Sequence, residues 1–163
     1  MTRLFLELHR ADADFAPAIS SILIPQSYVS LEFILQRHGI LTEVTYPTSA
    51  VTFKHTHLIE NKLGVFAFRN IKENLYAGYS IADYFGIPFS QASLAKALFD
   101  YLYFCPWKDK TLLSGYNLAE DLRLNLEEFS NEAQTEFAGF VDMSQSRKMD
   151  QTLKNLRKTI WRL

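Results

Sequence analysis

The sequence predicts an α+β fold: a single two-layer domain over residues 1–163, with a mixed, mostly antiparallel sheet, helices packed on it and a C-terminal helical extension. Three observations predict it. The hydrophobic period changes from helical to two-residue and back along the chain. The segments linking the alternating runs are too short for helical crossovers. Apolar residues make up 48% of 163 positions, with 14% aromatic, which suits one good core and falls short of two.

Residues 3–8 alternate, with Leu4, Leu6 and Leu8 on one side, and read as a short strand. A short helix follows near Pro17–Ile22, and Pro25 ends it. Ser30 is placed to cap the amides of Leu31, Glu32 and Phe33 at the start of the next helix. There Leu31, Ile34, Leu35 and His38 share one face, and Gly39 takes the left-handed position past the end.

From Glu43 to Tyr84 the period is two. Val44–Tyr46 stops at Pro47. Val51, Phe53, His55 and His57 then line one side of a strand, with Thr52, Lys54 and Thr56 on the other. Asn61 to Gly64 is the bend into a strand where Val65, Ala67 and Arg69 oppose Phe66 and Phe68. A further strand spans Tyr79–Phe85, and Gly86-Ile87-Pro88 closes the region.

Ser93 or Ser90 opens a helix over 93–104, with Leu94, Ala97, Leu98, Tyr101 and Leu102 as its apolar stripe and Pro106 barring its continuation. Over Leu112–Leu126 two readings stand. Asn117 with Glu120 forms a box-like helix start, while Leu122, Leu124 and Leu126 alternate as in an extended stretch. The last helix is regular: Met149, Leu153, Leu156, Ile160 and Leu163 recur at spacings of four and three. The expected core is Leu31, Phe33, Ile34, Leu35, Val51, Phe53, Phe66, Phe68, Leu94, Ala97, Leu98 and Tyr101.

Composition excludes several function classes. A lone Cys105 excludes an intrachain disulfide framework and a thiolate zinc site. No apolar run is long enough to span a membrane, and Glu7 and His9 interrupt the start too early for a signal peptide, so a cytoplasmic location is expected. Net charge is −1, unevenly spread. Residues 120–142 hold seven acids and one base, and residues 143–163 hold six bases and one acid.

Local motifs for catalysis are missing. His55 and His57, two apart on a strand, point the same way, but only Glu60 lies nearby as a further metal ligand, too few for a site. Ser27, Ser30, Ser80 and Ser114 lack elbow glycines and ordered His and Asp partners. The six glycines are isolated, so no phosphate-cradling loop exists. No catalytic residue, metal or cofactor is assigned. Lys96 and Asp100, one turn apart, read either as an exposed helix pair or as a covered pair anchoring the helix to its neighbours. Arg147, Lys148, Lys154, Arg157, Lys158 and Arg162 read either as a solvated basic face neutralised by the acidic 120–142 segment or as a surface for nucleic acid or another partner.

The stretch from Pro25 to Leu41 (PQSYVSLEFILQRHGIL) resembles the opening motif of the C-terminal domain in the abortive-infection antitoxin family of AbiEi type, also described as predicted transcriptional regulators of viral defence systems. Ala92 to Tyr103 (ASLAKALFDYLY) resembles the family's helix with a Lys-Ala-Leu-Leu-Asp core. Val51-Thr-Phe-Lys and Gly64 to Arg69 occupy the places of two family strands, and Glu120 to Asn125 resembles a third, weaker landmark. The likeness covers residues 22–130, leaving 131–163 as the helical extension. Its motif residues here are Tyr28, Ser30, Leu31, His38, Gly39, Lys96, Asp100 and Arg123. Leu94-Ala95 departs from the Pro-Glu usual in the family, removing an acid from the helix start.

The resemblance implies a non-enzymatic antitoxin or regulatory domain that counters a nucleotidyltransferase-like toxin without a stable complex. Family members begin with a winged helix that binds promoter DNA. About 25 residues precede the first motif here, so promoter binding is not carried over. Two other classes are distinguishable. A DNA-binding regulator fragment would use the basic last helix. A nucleic-acid-processing enzyme would gather Asp83, Asp100, Glu120 or His55 in one cleft.

Overall fold

A computed structural model describes residues 12–43, 47–106 and 115–162. The strand expected over 3–8 and the strand Val44–Tyr46 lie outside these residues, as does Leu163. The described elements, in order, are α1 (Phe15–Leu23), β1 (Ser27–Val29), α2 (Leu31–Arg37), β2 (Thr48–Thr52), β3 (His57–Asn61), β4 (Gly64–Asn70), a 3₁₀ turn (Glu73–Leu75), β5 (Tyr79–Tyr84), β6 (Ile87–Ala92), α3 (Leu94–Phe104), α4 (Leu118–Asp121), α5 (Asn131–Ser144) and α6 (Arg147–Thr159).

The six strands form one mixed sheet in the order β3-β4-β2-β1-β6-β5. Three neighbouring pairs are antiparallel, while β1 with β6 and β2 with β4 are parallel. The class is α+β, as the sequence predicts. The central strand β1 was not foreseen: three residues are too few to show a period, and its neighbours on both sides determine its place.

Two expectations in the sheet need correction. Residues 51–57 are not one strand. β2 ends at Thr52, residues 53–56 bend, and His57 begins β3. Thr52 side-chain oxygen accepts from Lys54 N–H and donates to the Gln26 carbonyl, which turns the chain there. Gly86-Ile87-Pro88 does not close the region but opens β6. Phe85 and Gly86 take φ of 49° and 82°, the left-handed pair of a two-residue hairpin, and Tyr84 then pairs with Ile87.

Helices cover both faces. Adjacent residues of a strand point to opposite sides, and Ala50 packs with Phe15, Ala18 and Ile19 of α1 while Val51 packs with α2 and α3. The larger core, on the α3 side, runs on through Leu118, Leu126, Phe137, Val141, Met149, Leu156 and Trp161. Of the twelve expected core residues, Phe33, Phe53, Leu94 and Tyr101 are only half-buried and the rest are buried.

Helix ends follow local chemistry. The hydroxyls or amides of Ser93, Asn117, Ser130 and Ser146 each accept from a backbone N–H three residues on. Gly39 sits at φ 72° with Ile40 N–H reaching back to the Leu35 carbonyl, the expected left-handed ending of α2. His38 does not join the buried face of that helix: it is the exposed residue at the end, where the helical period stops. Over 112–126 the described part holds both readings in sequence. Asn117 starts the single turn α4, then Arg123 at φ 53° ends it and Leu124 and Leu126 turn into the core. α6 stops at Thr159, so Arg162 lies beyond the helix rather than on it, and Trp161 folds back into the core.

Candidate functional site

α3 is buried over most of its circumference, and the face that carries its two charged residues is closed to water. Lys96 and Asp100, one turn apart on it, have side chains 0% exposed and form an ion pair. The exposed-pair reading is thereby replaced by the covered one: α5 lies across α3 where solvent would otherwise be. The second carboxylate oxygen of Asp100 accepts from Tyr28 Oη at 3.0 Å and from Ser30 Oγ at 2.7 Å. All four residues lie in the two stretches, 25–41 and 92–103, on which the expected antitoxin resemblance rests.

The site is built from strand, helix and lid. Tyr28 projects from central β1 and stacks on Tyr79 at 5.2 Å between ring centres. Ser30 ends that strand, donating its N–H to the Ser49 carbonyl, and the chain then turns into α2 within one residue. That abrupt turn places Leu31 at φ 58°, a left-handed conformation that costs about 1–3 kcal/mol for a residue with a Cβ. Ser30 was expected to cap α2 with its hydroxyl. It does not, because the hydroxyl is turned to Asp100. Ser49 Oγ accepts from Phe33 N–H at 3.2 Å instead, and donates to the Ser30 carbonyl at 2.9 Å.

Around the ammonium, the rings of Tyr28, Phe99 and Phe140 stand at 5.5, 4.9 and 5.4 Å from Lys96 Nζ. Their negative faces supply part of the solvation that water would give. Phe140 comes from α5 and closes the cage. It can approach because Gly78, at φ 75°, has no side chain: a Cβ there would collide with the Phe140 ring and lie 3.0 Å from Lys96 Cγ. Ser93, which caps α3, also donates to Glu136 of α5 at 2.6 Å and ties the lid to the helix start.

Burial dominates the electrostatics. It pushes the Asp100 carboxyl up and the Lys96 ammonium down from their ordinary ranges, while each charge opposes the shift of the other. The two hydroxyl donors also favour the Asp100 anion. Burial, with the Asp100 charge behind it, raises the Tyr28 phenol far above its usual value, so that hydroxyl remains a donor. Such an arrangement binds three segments of one chain together. Its polar atoms are spent on one another.

An open cleft of about 580 Å³ lies beside this network, bordered by Leu31, Glu32, Ser49, Arg69, Tyr101 and Phe104. The Arg69 guanidinium lies 4.8 Å over the Phe104 ring. Cys105 also lines it, and burial raises its thiol, which makes it a weak nucleophile at neutral pH.

The other anticipated residues lie elsewhere. His38 and Gly39 are at the far, exposed end of α2. Arg123 pairs with Glu43 at 3.3 Å with both side chains mostly in solvent. Asp100 is sealed in the core whereas Asp83, Glu120 and His55 are exposed on other elements, and among the described residues no three His, Cys, Asp or Glu side chains converge to hold a metal. His55 and His57 lie in a bend and a strand, not on one strand.

Arg147, Lys154, Arg157, Lys158 and Arg162 are exposed, and among the described residues none forms a salt bridge with the acids of 120–142. Lys148 departs from that face. It is half-buried and donates to the carbonyls of Tyr103 (2.8 Å) and Cys105 (2.5 Å), closing the C-terminal end of α3. Phe99, Phe140, Gly78 and Ser49 were not anticipated in the site. Phe99, three residues after Lys96, is the one that helical spacing could have found.

No family model, curated protein or solved structure matches the chain. What stands described is a single mixed-sheet α+β fold with a sealed ion-pair network joining sheet, helix and C-terminal extension. No helix among the described residues is long and apolar enough to cross a membrane.

Proposed function

We propose that this chain is a non-enzymatic antitoxin or regulatory domain of a bacterial abortive-infection system, countering a nucleotidyltransferase-like toxin without a stable inhibitory complex. One observation supports the reading. Two motifs separated by about fifty residues, each resembling the antitoxin domain, meet through the very side chains that carry the resemblance: Tyr28 and Ser30 of the first on Asp100 of the second, with Lys96 beside it.

Co-expression with a nucleotidyltransferase-like toxin of such a system tests the proposal. Growth should be restored, with no complex retained on affinity capture. Persistent toxicity in cells that hold the folded chain would overturn it, and a stable complex would overturn the mode of action.

A second reading, a DNA-binding regulator fragment, has the five exposed cations in and beyond α6 in its favour, since among the described residues none of them forms a salt bridge with the acids of 120–142. It requires retention of a short duplex that falls steeply with salt. A chain that ignores duplex DNA at low salt removes this reading.

A further inference from the structure

We infer that the β3 edge of the sheet is where two copies of this chain associate, by antiparallel pairing of β3 with β3 of a second copy about a two-fold axis through Ile59. β3 is the last strand on its side of the sheet, so its outward N–H and C=O groups have no strand partner among the described residues. Its five residues pair with β4 in unbroken register, from His57 opposite Phe68 to Asn61 opposite Gly64, which leaves the outer edge regular as well. A regular unpaired edge is a template for another strand.

Edges are usually blunted by proline, lysine or a bulge. The run His57-Leu58-Ile59-Glu60-Asn61 has no proline, lysine or bulge, and Glu60 is its one acid. Leu58 is 71% exposed there, on the same side of the strand as Glu60. The opposite edge differs: the Tyr84 end of β5 is held by this chain itself, through Tyr84 Oη on Asp12 at 2.7 Å and the ring of Phe15 at 6.3 Å.

The composition of β3 selects a second copy as occupant. A two-fold axis perpendicular to the sheet keeps the two faces in register, and each residue then meets one of its own parity. Centred on Ile59, the pairing sets Ile59 against itself, His57 against Asn61 and Leu58 against Glu60 of the second copy. All five positions find a partner. No like charges stand directly opposite, and each Leu58 lies against the aliphatic stem of a Glu60. Pairing would join the two sheets into one of twelve strands, twice the six observed.

Light scattering and sedimentation of the full chain over a range of concentrations test this. The mass should rise from 18.8 kDa to twice that value. Leu58→Lys should weaken self-association at least about tenfold with an unchanged circular dichroism spectrum, and with an unchanged melting temperature at concentrations where both chains are monomeric, because the side chain is outside the core. Ile81→Lys, on the exposed face of the opposite edge strand, should leave the mass unchanged. A species of 18.8 kDa at every concentration would overturn the inference. So would a dimer indifferent to Leu58→Lys, or one dissociated by Ile81→Lys.

Discussion

Tyr28 and Asp100 are 72 positions apart and share a 3.0 Å hydrogen bond in the middle of the molecule. The phenol comes from the central strand and the carboxylate from a helix buried over most of its circumference, so the bond fixes α3 on the sheet. Ser30 donates to the same oxygen and Lys96 pairs with the other. Both carboxylate oxygens of Asp100 are thus met by donors, two from the end of β1 and one from the preceding turn of α3, and the cost of burying its charge is offset locally.

The pair should be far more costly to break than an exposed helix pair. Lys96→Met is expected to cost about 3–5 kcal/mol in urea unfolding, because it leaves a buried carboxylate without its cation. Asp100→Ala should cost more. It strands the ammonium among three rings and leaves the Tyr28 and Ser30 hydroxyls unpaired, whereas the carboxylate in Lys96→Met keeps both hydroxyl donors. The double variant should lose less than the sum of the two, and strict additivity would contradict the coupling.

Ser30 and Ser93 both precede helices, yet their hydroxyls have different work. Ser93→Ala removes a cap on Lys96 N–H and should cost about 1 kcal/mol. Ser30→Ala removes a donor to a buried anion and should cost about 1.5–3 kcal/mol. The reverse order of destabilisation would mean that Ser30 serves α2 rather than Asp100.

Several phenols are held protonated by the fold. Burial raises Tyr76 to about 12, burial and the Asp12 hydrogen bond raise Tyr84 to about 12, and a hydrogen bond to Asp121 raises Tyr116 to about 12. Tyr28 lies higher still. These folded values exceed the ordinary 10.0, so their contribution is fully present below pH 10 and is lost as pH rises through about 12. Ultraviolet absorbance of phenolate should lag behind that of the unfolded chain over this window and then rise together with loss of helix. Full titration near pH 10 in a chain that stays folded would contradict the burial of these groups.

Gly39 and Gly78 share nearly the same backbone, φ 72° and 75°, in different surroundings. Nothing lies within 4 Å of a Cβ at Gly39, so Gly39→Ala should show only backbone strain of about 1 kcal/mol. Gly78→Ala should be clearly worse, since the added methyl meets Phe140 and must lift α5 from Lys96. Equal melting temperatures for the two variants would show that Phe140 does not depend on Gly78 for its approach.

Much of this fold is legible in local pattern. The α2 ending at Gly39, the Asn61–Gly64 bend, the 79–84 strand, the Ser93 cap and the amphipathic α6 all come from interactions within a few residues, and short-range rules suffice for those. Where a long-range partner decides, the same rules mislead. Ser30 has the sequence of a cap and gives its hydroxyl to Asp100. Lys148 stands in a run of solvated cations and closes the end of α3 instead. The three residues of β1 become the centre of the sheet only because β2 and β6 flank them.

The sequence by itself determined the α+β class, the Gly39 ending of α2, the two ends of α3 and the helical spacing that sets Lys96 one turn from Asp100, since each rests on backbone geometry and side-chain period. Only the tertiary structure decided that the pair is sealed. Exposure depends on what covers a helix face, and here the cover is Phe140, admitted by a missing Cβ at Gly78 on a distant loop. Burial of a charge depends on neighbours remote in the chain, and no local period encodes them.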